Sequence, residues 1–317
     1  MNETIRYILR KPYRRLIDFC ESIEKKLIHK NYPLDYSPVF IIGVPRSGTT
    51  LLYQLLAYCY DFCYLSNAIS HFSKFPCLAS YFLSKVNGPR SSFNYKNKFG
   101  EIDGWRAPSQ GWLFWSRWFP PDQSYVGLDC IPNSSIREIR ATISLLQKIH
   151  DKPFLNKALS LGVRILPLNQ AVPHSLFIRI HRNHLDVAQS ILKTRKDYMG
   201  DQDRWISAKP SEFQKIQSQD YITQICSQIF YLEKDMDRDI KAIGEHRCLN
   251  ITYESLCKNP RNLLNDIENF YNDSSRTNSL KKINEPPNSF FYSTGLKCSQ
   301  EEYIQLSNCL QKLHERH

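Results

Sequence analysis

A chain of 317 residues is long enough for one large α/β domain or for two small ones. Hydrophobic residues make up 42% of it and aromatic residues 13%, a composition that permits a full core and argues against intrinsic disorder. The 42 basic residues exceed the 31 acidic ones, and the net charge of +11 favours an anionic partner. No basic run is long enough to indicate a nucleic-acid motif, and no apolar run approaches the ~20 residues that cross a bilayer.

The cysteines and the N-terminus predict a cytoplasmic protein. Several of the ten cysteines lie in apolar, helix-like segments, as reduced thiols do. Cys59 and Cys63 have no His or Cys partners at zinc spacing, so we expect no metal site. The N-terminal segment, residues 1–30, lacks the apolar core of a signal peptide and has a basic amphipathic helix pattern over residues 3–30. We expect this helix to pack on the core and to break at Pro12.

A strand, a loop and a helix start at residues 38–56 have the pattern of a phosphate-binding turn. Val39–Ile42 is a short apolar run typical of a strand that is buried on both faces. Gly43 and Gly48 bound the loop, and the helix pattern that begins at Thr49 places leucines along one face. Free N–H groups of the loop and of the first helical turn, together with the helix dipole, attract an anion.

The residues of this loop distinguish it from a nucleoside-triphosphatase loop. That loop reads G-x-x-x-x-G-K-[ST], whereas Thr49 stands here in the place of the lysine. The cation lies inside the loop as Arg46, which disfavours transfer of a γ-phosphoryl group. Arg46 is a fork-shaped donor, and the hydroxyl groups of Ser47, Thr49 and Thr50 are further donors. The loop is therefore predicted to hold a nucleotide phosphate.

Two further predicted strands end close to a basic residue. Phe154–Lys157 is a short strand pattern with a lysine at its carboxyl end. Leu176–Ile180 is a stronger pattern, followed by Arg182 and by a helix pattern over His184–Arg195. Because ligands of open α/β sheets lie at the carboxyl ends of the strands, both basic residues are candidates to bind negative charge.

Three motifs resemble those of sulfotransferases that use 3′-phosphoadenosine 5′-phosphosulfate (PAPS). P-R-S-G-T-T-L at residues 45–51 is similar to the loop that binds the 5′-phosphosulfate, and is closest to the bacterial and tyrosylprotein branches. R-N-x-x-D-x-x-x-S at residues 182–190 is similar to the motif that holds the 3′-phosphate. Y-E-S-L at residues 253–256 resembles the motif whose tyrosine contacts the adenine. The PAPS-binding residues implied by the resemblance are Arg46, Ser47, Gly48, Thr49, Thr50, Leu51, Arg182, Ser190 and Tyr253.

The resemblance implies an enzyme that transfers the sulfuryl group of PAPS to a hydroxyl or amine of an acceptor, without a metal. Negative charge grows on the bridging and sulfuryl oxygens, and Arg46 and Lys157 are the implied residues that stabilise it. Lys157 precedes the next strand at a spacing similar to that of the catalytic lysine of tyrosylprotein sulfotransferases. The family's loop that closes over the nucleotide matches the region of Ser293, Thr294 and Lys297.

No motif indicates the base that accepts the acceptor's proton. The tyrosylprotein branch has a glutamate after the loop, at a register that falls here on Ser66 and Asn67, so a tyrosine acceptor loses support. His71 could serve, since a neutral imidazole is suited to this role near pH 7, and Glu101 and Asp103 are rivals. Carbohydrate, lipid, peptide tyrosine and small alcohol all stay open as acceptors.

These elements predict a single α/β domain over residues 1–317, with a three-layer P-loop-like fold in which helices flank a central parallel sheet. The aromatic-rich residues 61–125 and the polar residues 196–219 are expected to form the acceptor site or a lid. Four tryptophans of the first segment could line a pocket or lie in the core; they are Trp105, Trp112, Trp115 and Trp118. Further predicted elements are the helices Pro132–Lys148, with Asn133 or Ser134 as its cap, Tyr221–Glu245, Pro260–Phe270 and Glu301–His314, and the strand Cys248–Tyr253.

Two other functions are consistent with the loop and the charge. One is a small-molecule or nucleotide kinase built on the same kind of loop. The other is a non-catalytic protein that binds nucleotide or nucleic acid through its positive charge. The sulfotransferase interpretation is preferred and requires no nucleic acid; the oligomeric state is open.

Overall fold

The computed structural model describes residues 3–30, 32–86, 94–97, 100–275 and 279–315, with side chains from residue 14 onward. Within these ranges the strands are β1 (Val39–Ile42), β2 (Leu155–Lys157), β3 (Leu176–His181) and β4 (Cys248–Thr252). The helices are α1 (Glu3–Ile28), α2 (Thr49–Cys59), α3 (Asn67–His71), α4 (Pro76–Lys85), α5 (Trp112–Trp115), α6 (Asn133–His150), α7 (Ile165–Ala171), α8 (His184–Met199), α9 (Phe213–Ile216), α10 (Tyr221–Ile243), α11 (Tyr253–Lys258), α12 (Pro260–Ser274) and α13 (Gln300–Glu315).

The four strands form one parallel sheet in the order β2-β1-β3-β4. β1 lies between two partners, because Val39 pairs with Leu155 of β2 and with Leu176 of β3. Every residue of β1 is buried, which explains the continuous apolar run in its sequence. Because the strands are parallel, their carboxyl ends meet at one edge of the sheet, and the turns that follow them lie close together.

Helices cover both faces of the sheet and produce three layers. On β1, Phe40 and Ile42 belong to the hydrophobic cluster that includes residues of α6, α7, α8 and α10. Val39 and Ile41 belong to the cluster that includes residues of α2, α11 and α12. This alternation follows from the period of two in a strand. The predicted α/β fold, with a central parallel sheet flanked by helices, is therefore confirmed.

The N-terminal helix α1 is continuous over Glu3–Ile28, so the predicted break at Pro12 is wrong. A proline in a helix interior costs about 3 kcal/mol, a local cost that tertiary packing of the rest of the helix can offset. Glu24 is buried, and its two carboxylate oxygens each accept a hydrogen bond at 2.9 Å from the N–H groups of Cys77 and Leu78. This carboxylate ties α1 to the first turn of α4 and complements the dipole of α4.

The predicted strands and long helices are confirmed to within a few residues at their ends. The predicted cap of α6 is wrong, because Asn133 is already helical and Pro132 precedes it with φ −59° and ψ 145°. Neither Asn133 nor Ser134 caps the helix with its side chain. The fourth strand ends at Thr252, and Tyr253 begins α11 instead of closing the strand.

Residues 61–125 contain α3, α4 and α5 and are more regular than their sequence indicates. Residues 87–93 and 98–99 of this segment lie outside the described residues. Ser66 carries the signal that could have revealed α3, because its Oγ accepts a hydrogen bond from the N–H of Ile69 at 3.2 Å as a helix cap.

Residues 196–219 begin within α8 and include α9. On α10, the amide of Gln228 donates hydrogen bonds to the carbonyl oxygens of Ile206 at 2.9 Å and Ala208 at 3.0 Å. These bonds hold the middle of the segment against α10. In the part of the chain that the structure describes, no helix has the length and apolar character needed to span a bilayer.

Candidate active site

Each strand of the sheet, or the segment that directly follows it, contributes a residue to one cavity at the carboxyl edge. The loop after β1 contributes Arg46, β2 ends in Lys157, and Arg182 and Tyr253 follow β3 and β4. The cavity, termed the Arg46 cavity, has a volume of about 540 Å³, which lies within the range of ligand pockets. Five further residues of the first predicted motif also line it, namely Pro45, Gly48, Thr49, Thr50 and Leu51.

Two glycines shape the loop between β1 and α2. Gly48 has φ 107°, and a Cβ there would lie 2.4 Å from Cδ2 of Tyr253. Gly43 has φ 154°, and a Cβ there would lie 2.7 Å from the carbonyl oxygen of Ile180. The loop backbone therefore approaches its neighbours more closely than a larger residue permits. The N-cap residue of α2 is Gly48, which has no side chain to cap the helix, so N–H groups of the first turn are available to an anion.

The two predicted phosphate motifs meet at this cavity although they lie far apart in the chain. Arg46 Nε donates a hydrogen bond to Ser190 Oγ at 3.0 Å. Arg182 Nη1 donates to the carbonyl oxygen of Arg46 at 3.3 Å, and its guanidinium carbon lies 4.4 Å from the centre of the Tyr253 ring. Arg182 Nε is buried and has no hydrogen-bond partner among the described residues, so this donor is available to a ligand.

Lys157 is held in a buried position beside the loop. The residue is only 1% exposed, and its Nζ donates a hydrogen bond to Thr50 Oγ1 at 3.0 Å. Burial, and then the positive charge of Arg46, lowers the pKa of Lys157 from 10.5 to about 7. An anion bound between Arg46 and Lys157 would raise the pKa of Lys157, because its negative charge stabilises the protonated lysine.

A buried hydrogen-bond network positions the residue that precedes Lys157. Asn156 Oδ1 accepts a hydrogen bond from Trp115 Nε1 at 2.8 Å, and Asn156 Nδ2 donates to the carbonyl oxygen of Ser109 at 3.2 Å. Sequence reasoning did not assign Asn156 to the site and left Trp115 open between pocket and core, because their contact joins a strand to a helix from another part of the chain. The network fixes the end of β2 and thereby restricts where the lysine can lie.

Ser47 differs in position from the other residues of its motif. It is fully buried, and its hydroxyl has no hydrogen-bond partner among the described residues. Its N–H donates to the carbonyl oxygen of Val44 at 3.2 Å, and a Cβ on Gly43 would lie 2.9 Å from its Oγ. Ser47 therefore lies inside the loop and is not among the described residues that line the Arg46 cavity. Its role in donor binding stays a prediction.

The C-terminal loop reaches the same edge of the sheet. Arg182 Nη2 donates a hydrogen bond to the carbonyl oxygen of Ser293 at 2.6 Å, and the N–H of Lys297 donates to Gln189 Oε1 at 2.9 Å. Burial, and then the charge of Arg182, lowers the pKa of Lys297. Phe291 of this loop lines the Arg46 cavity. The loop thus lies beside the cavity, as its predicted role in covering a nucleotide requires.

A second cavity, of about 760 Å³, adjoins the first and is termed the Trp105 cavity. It brings together the three candidate bases His71, Glu101 and Asp103. The residues that line both cavities are Gly100, Gln110, Gln123 and Leu159. A Cβ on Gly100 would lie 3.9 Å from Lys157 Nζ, so the junction of the two cavities lies beside the lysine.

The tryptophans of residues 61–125 divide between cavity and core. Trp105 and Trp112 line the Trp105 cavity and are 60% and 52% exposed. Trp115 and Trp118 are buried in the core. Among the described residues, no group of three or more His, Cys, Asp and Glu side chains could hold a metal ion.

Comparisons with known proteins bear on this site. The sequence matches the model of the sulfotransferase family over residues 38–272, a range that contains all three predicted motifs and Lys157. The chain belongs to the sulfotransferase family. The sulfotransferase STF9 from Mycobacterium avium matches with a TM-score of 0.51 at 15% identity, over 90% of this chain and 70% of that one. STF1 from Mycobacterium tuberculosis H37Rv gives a TM-score of 0.52 at 11% identity, over 95% of this chain and 80% of that one. These likenesses show the fold alone, and a comparison with curated proteins finds no match.

Proposed function

We propose that this protein transfers the sulfuryl group of PAPS, bound in the Arg46 cavity, to a hydroxyl or amine of an acceptor in the Trp105 cavity. Membership of the sulfotransferase family supports sulfuryl transfer. The contact between Arg46 and Ser190 carries the choice of donor, because it joins the implied 5′-phosphosulfate and 3′-phosphate motifs around one cavity.

The residues of the Arg46 cavity fit a doubly phosphorylated adenosine. Arg46, Lys157 and Arg182 line it, and no Asp or Glu does so among its described lining residues. In the proposal, Arg46 and the N–H groups at the start of α2 hold the 5′ end. Arg182 and Ser190 hold the 3′-phosphate, and Tyr253 contacts the adenine. The buried and unpartnered Nε of Arg182 supports this fit, since a phosphate oxygen would satisfy it.

The chain's own residues have separate tasks in the transfer. Bound PAPS supplies a sulfuryl group attached to a phosphate that leaves as part of adenosine 3′,5′-bisphosphate. Arg46 and Lys157 stabilise the negative charge that grows on the oxygens, and they contact it more strongly in the transition state than in the ground state. The burial of Lys157 strengthens this contact because the local dielectric is low. A side chain of the Trp105 cavity accepts the acceptor's proton.

Calorimetry with adenosine 3′,5′-bisphosphate tests the donor assignment. We expect Arg46→Ala and Arg182→Ala each to weaken binding by about 10-fold to 100-fold, since a charge-assisted hydrogen bond contributes about 1.5–3 kcal/mol. Arg137→Ala is the matched control, because Arg137 is exposed on α6 and is not among the described residues that line either cavity. Unchanged affinity in either cavity variant would refute the assignment.

A transfer assay tests the reaction itself. Labelled sulfuryl from PAPS should pass to a component of an acceptor extract with wild-type protein, and Lys157→Met should abolish this transfer while it still binds the bisphosphate. Transfer of a phosphoryl group from ATP that requires Mg²⁺ would instead favour a kinase.

A further inference from the structure

The two cavities differ in the sign of their charge. Among the described lining residues, the Arg46 cavity contains Arg46, Lys157 and Arg182 but no carboxylate. The Trp105 cavity contains Glu101 and Asp103 but neither lysine nor arginine. A chain with a net charge of +11 therefore presents a negative cavity directly beside a positive one. The positive cavity matches the anionic donor, and the negative cavity indicates a different charge on the acceptor.

The aromatic surface of the Trp105 cavity also favours an acceptor with a positive charge. Trp105 and Trp112 line the cavity and leave more than half of their surface open to solvent, at 60% and 52% exposed. No ion pair joins Glu101 or Asp103 to another residue in the described ranges. A cationic group such as an ammonium is favoured by both features: it pairs with a carboxylate and is attracted to the face of an indole ring.

We propose that the acceptor carries a positively charged ammonium group, which Asp103 and the faces of Trp105 and Trp112 hold in the Trp105 cavity. The inference rests on the proposed function, since it takes this cavity as the acceptor site. Gly100 lines both cavities, and a Cβ there would lie 3.9 Å from Lys157 Nζ. The end of the acceptor that receives the sulfuryl group therefore lies at Gly100, and the ammonium group lies toward the tryptophans.

The same features separate this acceptor class from the others. An anionic acceptor would be repelled by two carboxylates. A neutral alcohol or sugar stacks on the tryptophans and donates hydroxyl hydrogen bonds to the carboxylates, but it lacks the charge attraction that an ammonium group gains from both carboxylates and rings. An ammonium alcohol gains from both the carboxylates and the rings, so the charge at its far end is the property to test.

The test uses three linear alcohols that differ only in the group at the far end: aminohexanol, heptanol and hydroxyheptanoate. The wild-type protein is first titrated with adenosine 3′,5′-bisphosphate until saturated, which reports on the Arg46 cavity separately. Each alcohol is then titrated by calorimetry. We expect aminohexanol to bind about tenfold more tightly than heptanol, and hydroxyheptanoate to bind most weakly.

Two variants assign this preference to named residues. Asp103→Asn should lower the affinity for aminohexanol about threefold and leave that for heptanol unchanged. Trp112→Leu should lower the affinity for aminohexanol about threefold to tenfold. Asp18→Asn and Phe82→Leu are the matched controls, because both residues are exposed and are not among the described residues that line either cavity.

The possible failures are distinguishable. Equal or tighter binding of heptanol, no binding of any of the three alcohols, or an unchanged preference in Asp103→Asn would overturn the inference. In each of these cases a normal titration with the bisphosphate leaves the proposed function in place. A protein that does not bind the bisphosphate would remove the proposed function and this inference together.

Discussion

The lowered pKa of Lys157 predicts that an anionic nucleotide binds together with a proton. In the free protein, burial and then the charge of Arg46 lower this pKa from 10.5 to about 7. An anion next to Nζ favours the charged form of the lysine and raises its pKa in the complex. The affinity for adenosine 3′,5′-bisphosphate should therefore fall as the pH rises through the free pKa, because the complex must then take up the missing proton.

The titration gives the size of the effect. With a free pKa of about 7, about nine-tenths of the Lys157 side chains are neutral at about pH 8, so binding should take up about 0.9 proton if the complex stays protonated. Calorimetry in two buffers that differ in ionisation enthalpy measures this uptake directly. The phosphates of the ligand do not contribute at this pH, because their second pKa lies near 6.

Lys157→Met is the control for this measurement. It replaces the ammonium group with an apolar end, so both the proton uptake and the fall in affinity with pH should disappear. A wild-type uptake below about 0.3 proton would show that the lysine does not change from neutral to charged when the nucleotide binds. An equal uptake by the variant would assign the proton to another group, and either result would refute the reasoning.

Three further measurements follow from the same site. Because the pKa of Lys157 is lower in the folded than in the unfolded chain, the free energy of unfolding should rise with pH between about 7 and 10.5. Lys157→Met should raise the free energy of unfolding by about 1–4 kcal/mol at neutral pH, measured by urea unfolding. An unchanged free energy would contradict the interpretation that the buried ammonium group destabilises the fold. Gly48→Ala should weaken bisphosphate binding in calorimetry, since its Cβ would lie 2.4 Å from Tyr253. Trp115→Phe removes the donor to Asn156 and should lower kcat more than donor affinity; a change in affinity alone would argue against a positioning role.

Local patterns were sufficient to predict the units that build the site. The loop after β1 and the turn after β3 each follow a buried apolar run and precede an amphipathic helix, and such preferences act over a few neighbouring residues. The same reasoning failed at Pro12 and at the cap of α6. At these positions the conformational preference of a single residue contributes less free energy than the tertiary packing of the whole helix. Sequence patterns alone do not reveal that packing.

Contacts between distant parts of the chain decide the rest. The hydrogen bond from Arg46 to Ser190, the burial that lowers the pKa of Lys157, and the division of the tryptophans between cavity and core all depend on how the elements pack. The positive charge of the Arg46 cavity has the same origin, since Arg46, Lys157 and Arg182 come from three separate segments of the chain. The amino-acid pattern names the groups that can bind an anion, but distance and burial set their chemistry, and both arise when the parallel strands bring their carboxyl ends to one edge.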